Sequence, residues 1–221
     1  MSIRNLLGAG ALFTAWLITA VALLVHPAGA AHKGIDLLTM ATDHRSQLLT
    51  FAGLYLVSAL LFIPAMVLIS DRARGRGATL LPIASMLVLV GAAGHAAEST
   101  LNVLLTVIAS IPVDAAVTAK VIDNSTGLIA PVLVLAVVFD LALILLAGAA
   151  WRARLTSFWP LVLVTLGAIG GNLAPPEAVF QVVTLLSVTL GIGWIALGVA
   201  RDASGFNVAA SSRSASPAAI A

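Results

Sequence analysis

Six long stretches of this chain are almost free of charged residues, and they constrain its fold more than any other feature. They cover approximately residues 6–25, 48–70, 79–111, 128–151, 158–174 and 177–200. A helix needs roughly 20 apolar residues to cross a hydrocarbon core about 30 Å thick. The runs are continuously apolar rather than alternating, which favours helices over the strands of a membrane barrel. We therefore expect an all-α, polytopic bundle of about six transmembrane helices in a lipid bilayer.

Composition excludes several other classes of protein. Of the 221 residues, 61% are hydrophobic and only 9% are charged, whereas about a quarter of the residues in a soluble domain are charged. The formal net charge is +2 and the basic residues form no patch, so no nucleic-acid partner is expected. The chain contains no cysteine, which rules out disulfides, iron–sulfur clusters and thiolate chemistry.

The basic residues indicate how the helices are oriented, because short cytoplasmic loops are enriched in Lys and Arg. If six helices alternate in direction, one side of the membrane receives Arg4, Arg72, Arg74, Arg76, Arg152, Arg154, Arg201 and Arg213. The other side receives only Lys33, Arg45 and Lys120, within the outward segments 26–47 and 112–127. Both termini are therefore expected in the cytoplasm, with the protein in the cell membrane. Residues 1–202 are expected to form one transmembrane domain, and residues 203–221 a disordered cytoplasmic tail.

The third run is longer than a bilayer requires. Its approximately 33 residues would extend roughly 50 Å as a single helix. Its middle contains the polar residues His95, Glu98, Ser99 and Asn102. Either one long helix projects beyond the bilayer, or the chain breaks near this polar segment, and the sequence leaves both alternatives open.

Ionisable side chains inside the apolar runs are the first candidates for a functional site. Each costs roughly 2.5–3.5 kcal/mol at the centre of a membrane helix on insertion scales. Glu98 and Asp140 are the two acidic residues within runs, and Glu177 lies at the outer end of the last run. His95, Glu98 and Asn102 follow steps of three and four, so they share one helix face.

Depth along the helices predicts that these polar groups share a pocket. At about 1.5 Å per residue, Asp140 lies about 18 Å from the outer start of the fourth run and Asn172 about 21 Å from the inner start of the fifth. Gln181 follows Glu177 on the sixth run. One pocket that opens outward would collect them all. Ser and Thr side chains in the runs are interpreted as interhelical hydrogen bonds, which need no ligand.

Two carboxyls in an apolar cavity favour acid chemistry. Burial and a neighbouring carboxylate both disfavour the charged form of a carboxyl. At least one of Glu98 and Asp140 is therefore expected to be protonated at neutral pH and to act as a general acid. His95 is expected to orient or hydrogen-bond Glu98. Such an acid could protonate an alkene or epoxide of a lipophilic substrate, or it could carry protons in a transporter.

Metal and haem chemistry fit the sequence poorly, and we expect no metal and no cofactor. Only His95 lies within an apolar run, whereas a bis-histidine haem needs two facing histidines. His26, His32 and His44, with Asp43, share the first outer segment, but their spacing matches no rigid metal motif.

The chain resembles the small bacterial integral membrane terpene cyclases of the drimentine and xiamycin type. The resemblance lies in its length, its all-helical membrane architecture and its acids on separate helices, Glu98 within His95-Ala96-Ala97-Glu98 and Asp140 within Phe139-Asp140. It implies a metal-independent, isomerase-type cyclase of terpenoid biosynthesis. Protonation would start the cyclisation of a farnesylated indole or diketopiperazine without loss of diphosphate. A second resemblance, to six-helix actinobacterial membrane proteins, implies no function.

In a cyclase of this type, Asp140 or Glu98 would be the proton donor and His95 and Asn102 would tune it. Cyclases stabilise carbocations with aromatic faces, and the aromatic candidates include Trp16 and Phe51. The residues expected to bind the hydrophobic substrate are Asn102, Asn172, Glu177, Gln181, Phe139, Phe180, Tyr55 and Trp194. The alternative function is a proton-coupled small-molecule carrier or a non-catalytic membrane subunit. Substrate identity and oligomeric state stay open.

Overall fold

Each of the six apolar runs forms a helix. A computed structural model describes residues 3–27, 34–73, 75–112, 114–173 and 178–202. The helices that correspond to the runs are α1 (Ile3–Val25), α3 (Arg45–Ser70), α4 (Leu80–Ile108), α6 (Thr126–Arg152), α7 (Trp159–Leu173) and α8 (Ala178–Arg201), and two short helices lie between them, α2 (Gly34–Asp43) and α5 (Ala115–Asn124). The described ranges contain no strand. The predicted all-helical fold is confirmed, whereas the predicted tail at 203–221 lies outside the described residues.

Five helices are long and apolar enough to cross a membrane. They are α1, α3 and α4, together with Ala130–Arg152 of α6 and Val179–Arg201 of α8. The remaining run forms α7, which is described over 15 residues. These 15 residues extend about 22 Å, which is less than a hydrocarbon core of about 30 Å. The bundle is therefore of the multi-pass membrane type, with five helices of full spanning length and a shorter apolar helix packed beside them.

These six helices form a closed ring in chain order. Each packs against the next, α1 on α3, α3 on α4, α4 on α6, α6 on α7 and α7 on α8, and α8 returns to α1. Small residues allow several of these close approaches. A Cβ atom on Gly8 of α1 would lie 2.9 Å from Cβ of Leu68 on α3, and one on Gly191 of α8 would lie 2.7 Å from Cγ2 of Val164 on α7. Glycine at such positions is typical of membrane helices that pack closely.

One end of the ring carries most of the cationic side chains, and we call it the arginine-rich end. Its described arginines are Arg4, Arg72, Arg76, Arg152, Arg154 and Arg201. Arg4 forms an ion pair of 2.7 Å with Asp71. Nδ2 of Asn5 donates to the backbone oxygen of Asp202 at 2.6 Å, and Arg72 donates to Oδ1 of Asn5. The start of α1 and the ends of α3 and α8 therefore meet here, so both ends of the helical domain lie on one side.

The opposite end contains the two short helices α2 and α5, which lie within the outward segments 26–47 and 112–127. Oδ1 of Asp123 on α5 accepts a hydrogen bond of 2.6 Å from the backbone N–H of Gly34 on α2. A Cβ atom on Gly34 would overlap the carbonyl oxygen of Ala119, so only glycine permits this approach. The side chain of Asp114 caps the start of α5 by accepting hydrogen bonds from two backbone N–H groups. The segments 26–47 and 112–127 are thus joined to each other by contacts between helices.

The third run is one continuous helix, which settles the alternative that the sequence left open. α4 has 29 residues, a length of about 43 Å. Oγ of Ser99 donates to the carbonyl oxygen of Ala52 on α3 at 2.7 Å. Nδ2 of Asn102 donates to the carbonyl oxygen of Glu98 one turn earlier at 2.9 Å. Polar side chains in the middle of α4 thus bond to backbone oxygens without interrupting the helix.

Buried hydroxyls also connect α1 to α3. Oγ1 of Thr19 and Oγ of Ser58 lie 2.5 Å apart, and Oγ of Ser58 donates to the carbonyl oxygen of Ala15 at 3.0 Å. Both side chains are almost completely buried. They form interhelical hydrogen bonds of the kind expected for Ser and Thr in the apolar runs.

Candidate active site

A cavity of about 190 Å³ lies inside the ring of helices. All six ring helices contribute to its wall, which therefore forms only when the whole bundle assembles. Its polar residues include His95, Glu98 and Asp140, the three residues predicted to be catalytic. The rings of Trp16, Tyr55 and Phe139 line the same space. The structure thus brings the candidate acids and three aromatic side chains into one cavity.

His95 lies between two aromatic rings on the cavity wall. Its ring stacks on Tyr55 with centroids 4.2 Å apart and an interplanar angle of 25°, and the Phe139 ring lies 4.3 Å away. Only 4% of His95 is exposed. Its Nδ1 atom is buried and has no hydrogen-bond partner among the described residues. Since an unsatisfied buried polar atom costs about 1–3 kcal/mol, Nδ1 is suited to bind a polar group of a ligand.

Two glycines determine how closely α4 approaches α6 beside the cavity. A Cβ atom on Gly91 would lie 2.5 Å from Cα of Phe139, and one on Gly94 would lie 2.7 Å from Cβ of Leu135. The two backbones therefore meet at this level. This contact holds the His95 ring against Phe139 and brings Asp140, the next residue on α6, to the cavity.

The two carboxyls reach the cavity from facing helices. Glu98 lies one turn beyond His95 on α4, and Asp140 lies near the middle of α6. Both side chains are half-buried. Their shared cavity agrees with the depth expected from the helix ends, because α4 and α6 run in opposite directions and cross at this level.

The other predicted substrate-binding residues on α4 and α8 lie away from the cavity wall. Asn102 uses its amide to bond to the backbone of its own helix. Gln181 is exposed, and its Nε2 donates to the carbonyl oxygen of Leu23 on α1 at 3.3 Å. Phe180 and Trp194 lie on the outer surface of α8, where 45% and 46% of their surface is exposed.

Two further residues predicted to bind substrate are Asn172 and Glu177. Asn172 belongs to α7, but its side chain is not described, and Glu177 lies outside the described residues. Conversely, Trp16 and Thr184 line the cavity although neither belongs to the predicted substrate-binding set. Nε1 of Trp16 donates to Oγ1 of Thr189 on α8 at 2.8 Å. Trp16 is one of the aromatic residues that the sequence indicated as candidates to stabilise a carbocation, and it lies on the cavity wall.

A layer of apolar side chains separates the cavity from the arginine-rich end. Every ring helix contributes one residue to this layer. On each helix that residue lies about three to seven positions from a cavity residue, in the direction of the arginine-rich end. We call it the apolar layer, and its members are Leu12, Phe62, Val88, Leu143, Val164 and Ile192. None of these side chains is more than 1% exposed. The cavity is therefore closed toward the arginine-rich end, and its remaining wall extends to Leu23, Gly171 and Thr184 in the other half of the bundle.

In the part of the chain that the structure describes, no three His, Asp or Glu side chains are close enough to hold a metal ion. His32 of the first outer segment lies outside the described residues. The cavity wall itself contains two carboxyls, one imidazole and three aromatic rings.

A column of rings extends from the cavity toward the opposite end of the bundle. The ring of Tyr55 lies 4.4 Å from Phe51, and Phe51 lies 4.6 Å from His26. His26 directly follows the end of α1. Burial lowers the pKa of His26 below its ordinary value of 6.5, and a hydrogen bond with the backbone of Pro27 acts in the opposite direction more weakly.

The lowered pKa of His26 predicts that acid destabilises the protein. As pH falls below about 6.5, His26 accepts a proton more readily in the unfolded chain than in the folded one, so stability decreases. His26→Phe keeps a ring against Phe51 and removes this titration. We expect the variant to lose less thermal stability than the wild type between pH 7 and pH 5. Melting temperatures in detergent at both pH values measure the difference, and equal losses in the two proteins would contradict the assignment.

Comparisons with known proteins do not identify the cavity. Two carboxyls, one imidazole and three aromatic rings define what the cavity can do chemically. No protein-family model, no curated protein and no solved structure matches this chain.

Proposed function

We propose that this protein is a membrane-embedded terpene cyclase that acts by protonation. Asp140 or Glu98 donates a proton to an alkene or epoxide of a lipophilic prenylated substrate, such as a farnesylated indole or diketopiperazine. The observation that carries the proposal is the cavity in which both carboxyls lie with Trp16, Tyr55 and Phe139. Neither a metal nor a diphosphate leaving group is required.

The reaction conserves all atoms of the substrate. The proton adds to one carbon of an alkene and leaves a carbocation on the other carbon. The electrons of a second alkene attack this cation and close a ring, and loss of a different proton forms a new alkene. Aromatic faces stabilise cations by roughly 0.5–2 kcal/mol each. His95, with its unpartnered Nδ1 atom among the described residues, is our candidate base for the final proton.

The size of the cavity limits how much of a substrate it encloses. Its volume of about 190 Å³ is smaller than the roughly 300–1,000 Å³ of pockets that enclose drug-sized ligands. We therefore propose that only the reacting end of the prenyl chain enters the cavity. The rest of the substrate remains between helices or in the bilayer.

The continuity of α4 favours an enzyme over a carrier. Carrier sites are typically formed by broken helices, whereas α4, which carries His95 and Glu98, is one continuous helix of 29 residues. We further propose that the protein lies in the cell membrane with its arginine-rich end in the cytoplasm, following the bias of the basic residues.

Deuterium incorporation tests the proposed reaction. Membranes that contain the protein are incubated with farnesylated indole in H2O and in D2O, and membranes without the protein serve as the control. In H2O we expect a cyclised product with the same mass as the substrate. In D2O we expect a product that is heavier by one mass unit, because it contains one deuterium in place of a hydrogen. Recovery of the substrate unchanged, or a product without deuterium, would contradict the mechanism. Proton uptake by reconstituted vesicles that Asp140→Asn abolishes would instead favour a carrier.

A further inference from the structure

A second and larger cavity lies on the outer surface of the bundle, between α1 and α8. Its volume is about 990 Å³, and we call it the α1–α8 groove. Phe13, Trp194 and Leu197 are among its apolar walls, and all three are partly exposed at the bundle surface. The groove follows α8 over residues 189–201, about 18 Å. This length is comparable to the roughly 15 Å hydrocarbon thickness of one membrane leaflet.

Small residues keep the α1–α8 groove open. Gly10 of α1 lies on its wall, and a Cβ atom placed there would meet no other atom within 4 Å. A Cβ atom on Gly193 of α8 would lie 3.2 Å from the Phe13 ring. The space in front of Gly10 therefore belongs to the groove rather than to a contact between helices.

Arg154 lies at the arginine-rich end of the groove in an unusual backbone conformation. Its φ angle is 58°, in the left-handed region. Its N–H donates to the carbonyl oxygen of Trp151 at 3.0 Å, and the N–H of Leu155 donates to that of Ala150 at 3.0 Å. This is the Schellman pattern that ends many helices, in which glycine usually occupies the left-handed position. An arginine there is strained, and such strain is common where a side chain has a function.

The segment after α6 is held against α8 by another glycine. A Cβ atom on Gly198 would overlap the carbonyl oxygen of Leu155. This contact places Arg154 and Thr156 beside Arg201 at one end of the groove. Oγ1 of Thr156 is buried and has no hydrogen-bond partner among the described residues. Two guanidinium groups and an unsatisfied hydroxyl thus surround the same end.

The charges at this end favour an anion. The ion pair at the arginine-rich end joins Arg4 to Asp71, and within the described ranges neither Arg154 nor Arg201 forms an ion pair. Asp202 also lines the groove, and its backbone oxygen accepts a hydrogen bond from Asn5. Two cationic side chains therefore face one carboxylate, next to an apolar channel that faces the bilayer.

We propose that the α1–α8 groove binds an anionic phospholipid. The phosphate contacts Arg154 and Arg201, since guanidinium groups bind phosphate oxygens in bidentate geometry. One acyl chain lies along Phe13 and Trp194. Basic pockets at the edge of the membrane recognise anionic headgroups in this way. A zwitterionic headgroup carries its own ammonium and gains less from the two arginines. This inference does not depend on the proposed cyclase activity.

Quenching of Trp194 by brominated lipids tests the proposal. The chain has four tryptophans, so the signal of Trp194 is the difference between the wild type and Trp194→Phe. Purified protein in detergent is titrated with dibrominated phosphatidylglycerol or dibrominated phosphatidylcholine. We expect half-maximal quenching at about tenfold lower lipid content with the anionic lipid, because each arginine near the headgroup adds to its attraction. Equal titration curves for the two lipids would overturn the proposal.

Two kinds of variant distinguish binding of the lipid headgroup from binding of the acyl chain. Arg154→Gly introduces the residue that the Schellman pattern prefers, so we expect an unchanged or higher melting temperature together with a weaker preference for the anionic lipid. Combined with Arg201→Gln, it should abolish the preference, and a preference that survives in the double variant would refute the arginine contacts.

Gly10→Leu fills the groove and should reduce quenching by both lipids. Gly53→Leu on α3, where a Cβ atom also meets nothing within 4 Å, is the matched control and should leave quenching unchanged.

Discussion

Replacing Asp140 with Asn, or Glu98 with Gln, is expected to lower the cyclisation rate of farnesylated indole by about 10²-fold or more in at least one variant. A positioned general acid typically contributes roughly 10²–10⁴-fold to a rate. Each amide keeps the size of the carboxyl it replaces but cannot supply an acidic proton. Initial rates of product formation in membranes with equal amounts of protein measure the effect and show which carboxyl is the donor.

Asp36→Asn is the control for these variants. It removes an exposed carboxyl on α2, outside the cavity, and should leave the rate unchanged. If Asp140→Asn and Glu98→Gln both retain the full rate of the wild type, neither carboxyl is the acid and the proposed mechanism is wrong.

Replacing Gly91 with Ala is expected to lower the free energy of unfolding by about 1–3 kcal/mol, the usual cost of overpacking a well-packed core. The added Cβ atom would lie 2.5 Å from Cα and 2.8 Å from the backbone nitrogen of Phe139. Backbone atoms cannot rotate away, so α4 must move away from α6. His95, one turn further along α4, moves with it, and cyclisation should slow as well.

Gly148→Ala on α6 provides a matched control for this substitution. Its Cβ atom would meet only Cδ1 of Leu161 at 3.8 Å, an ordinary van der Waals contact. We expect its stability to stay within about 0.5 kcal/mol of the wild type. Unfolding of both variants in mixed micelles measures the difference, and equal stability of Gly91→Ala and Gly148→Ala would contradict the close contact of α4 with α6.

The helices could be predicted because their signal is local and long. About 20 consecutive apolar residues have few alternatives to a membrane helix. Each of the six runs forms a helix, and five of these helices are long enough to cross a membrane. The short helices α2 and α5 have 10 residues each. Segments of that length without a continuous apolar run are hard to distinguish from loops, and their pairing depends on the contact between Gly34 and Ala119, which joins distant parts of the chain.

The sequence could predict how far along each helix the cavity residues lie, but not which way their side chains face. Counting residues from the helix ends predicts that Glu98 and Asp140 share a pocket, and both line one cavity together with His95. Counting does not show how a helix is rotated about its axis, because rotation depends on which neighbours it packs against. Phe180 and Trp194 illustrate this, since both belong to α8 but lie on its outer surface, whereas Thr184 of the same helix lines the cavity.

The apolar layer also affects how protons could reach the two carboxyls of the cavity. Its six side chains carry no group that could relay a proton, so in the proposed cyclase they would hinder proton exchange between the two carboxyls and the aqueous phase at the arginine-rich end. In the proposed cyclase, such a layer would allow an acid group inside the bilayer without a leak of the proton-motive force. The acidity that drives the reaction would follow the pH of a single compartment.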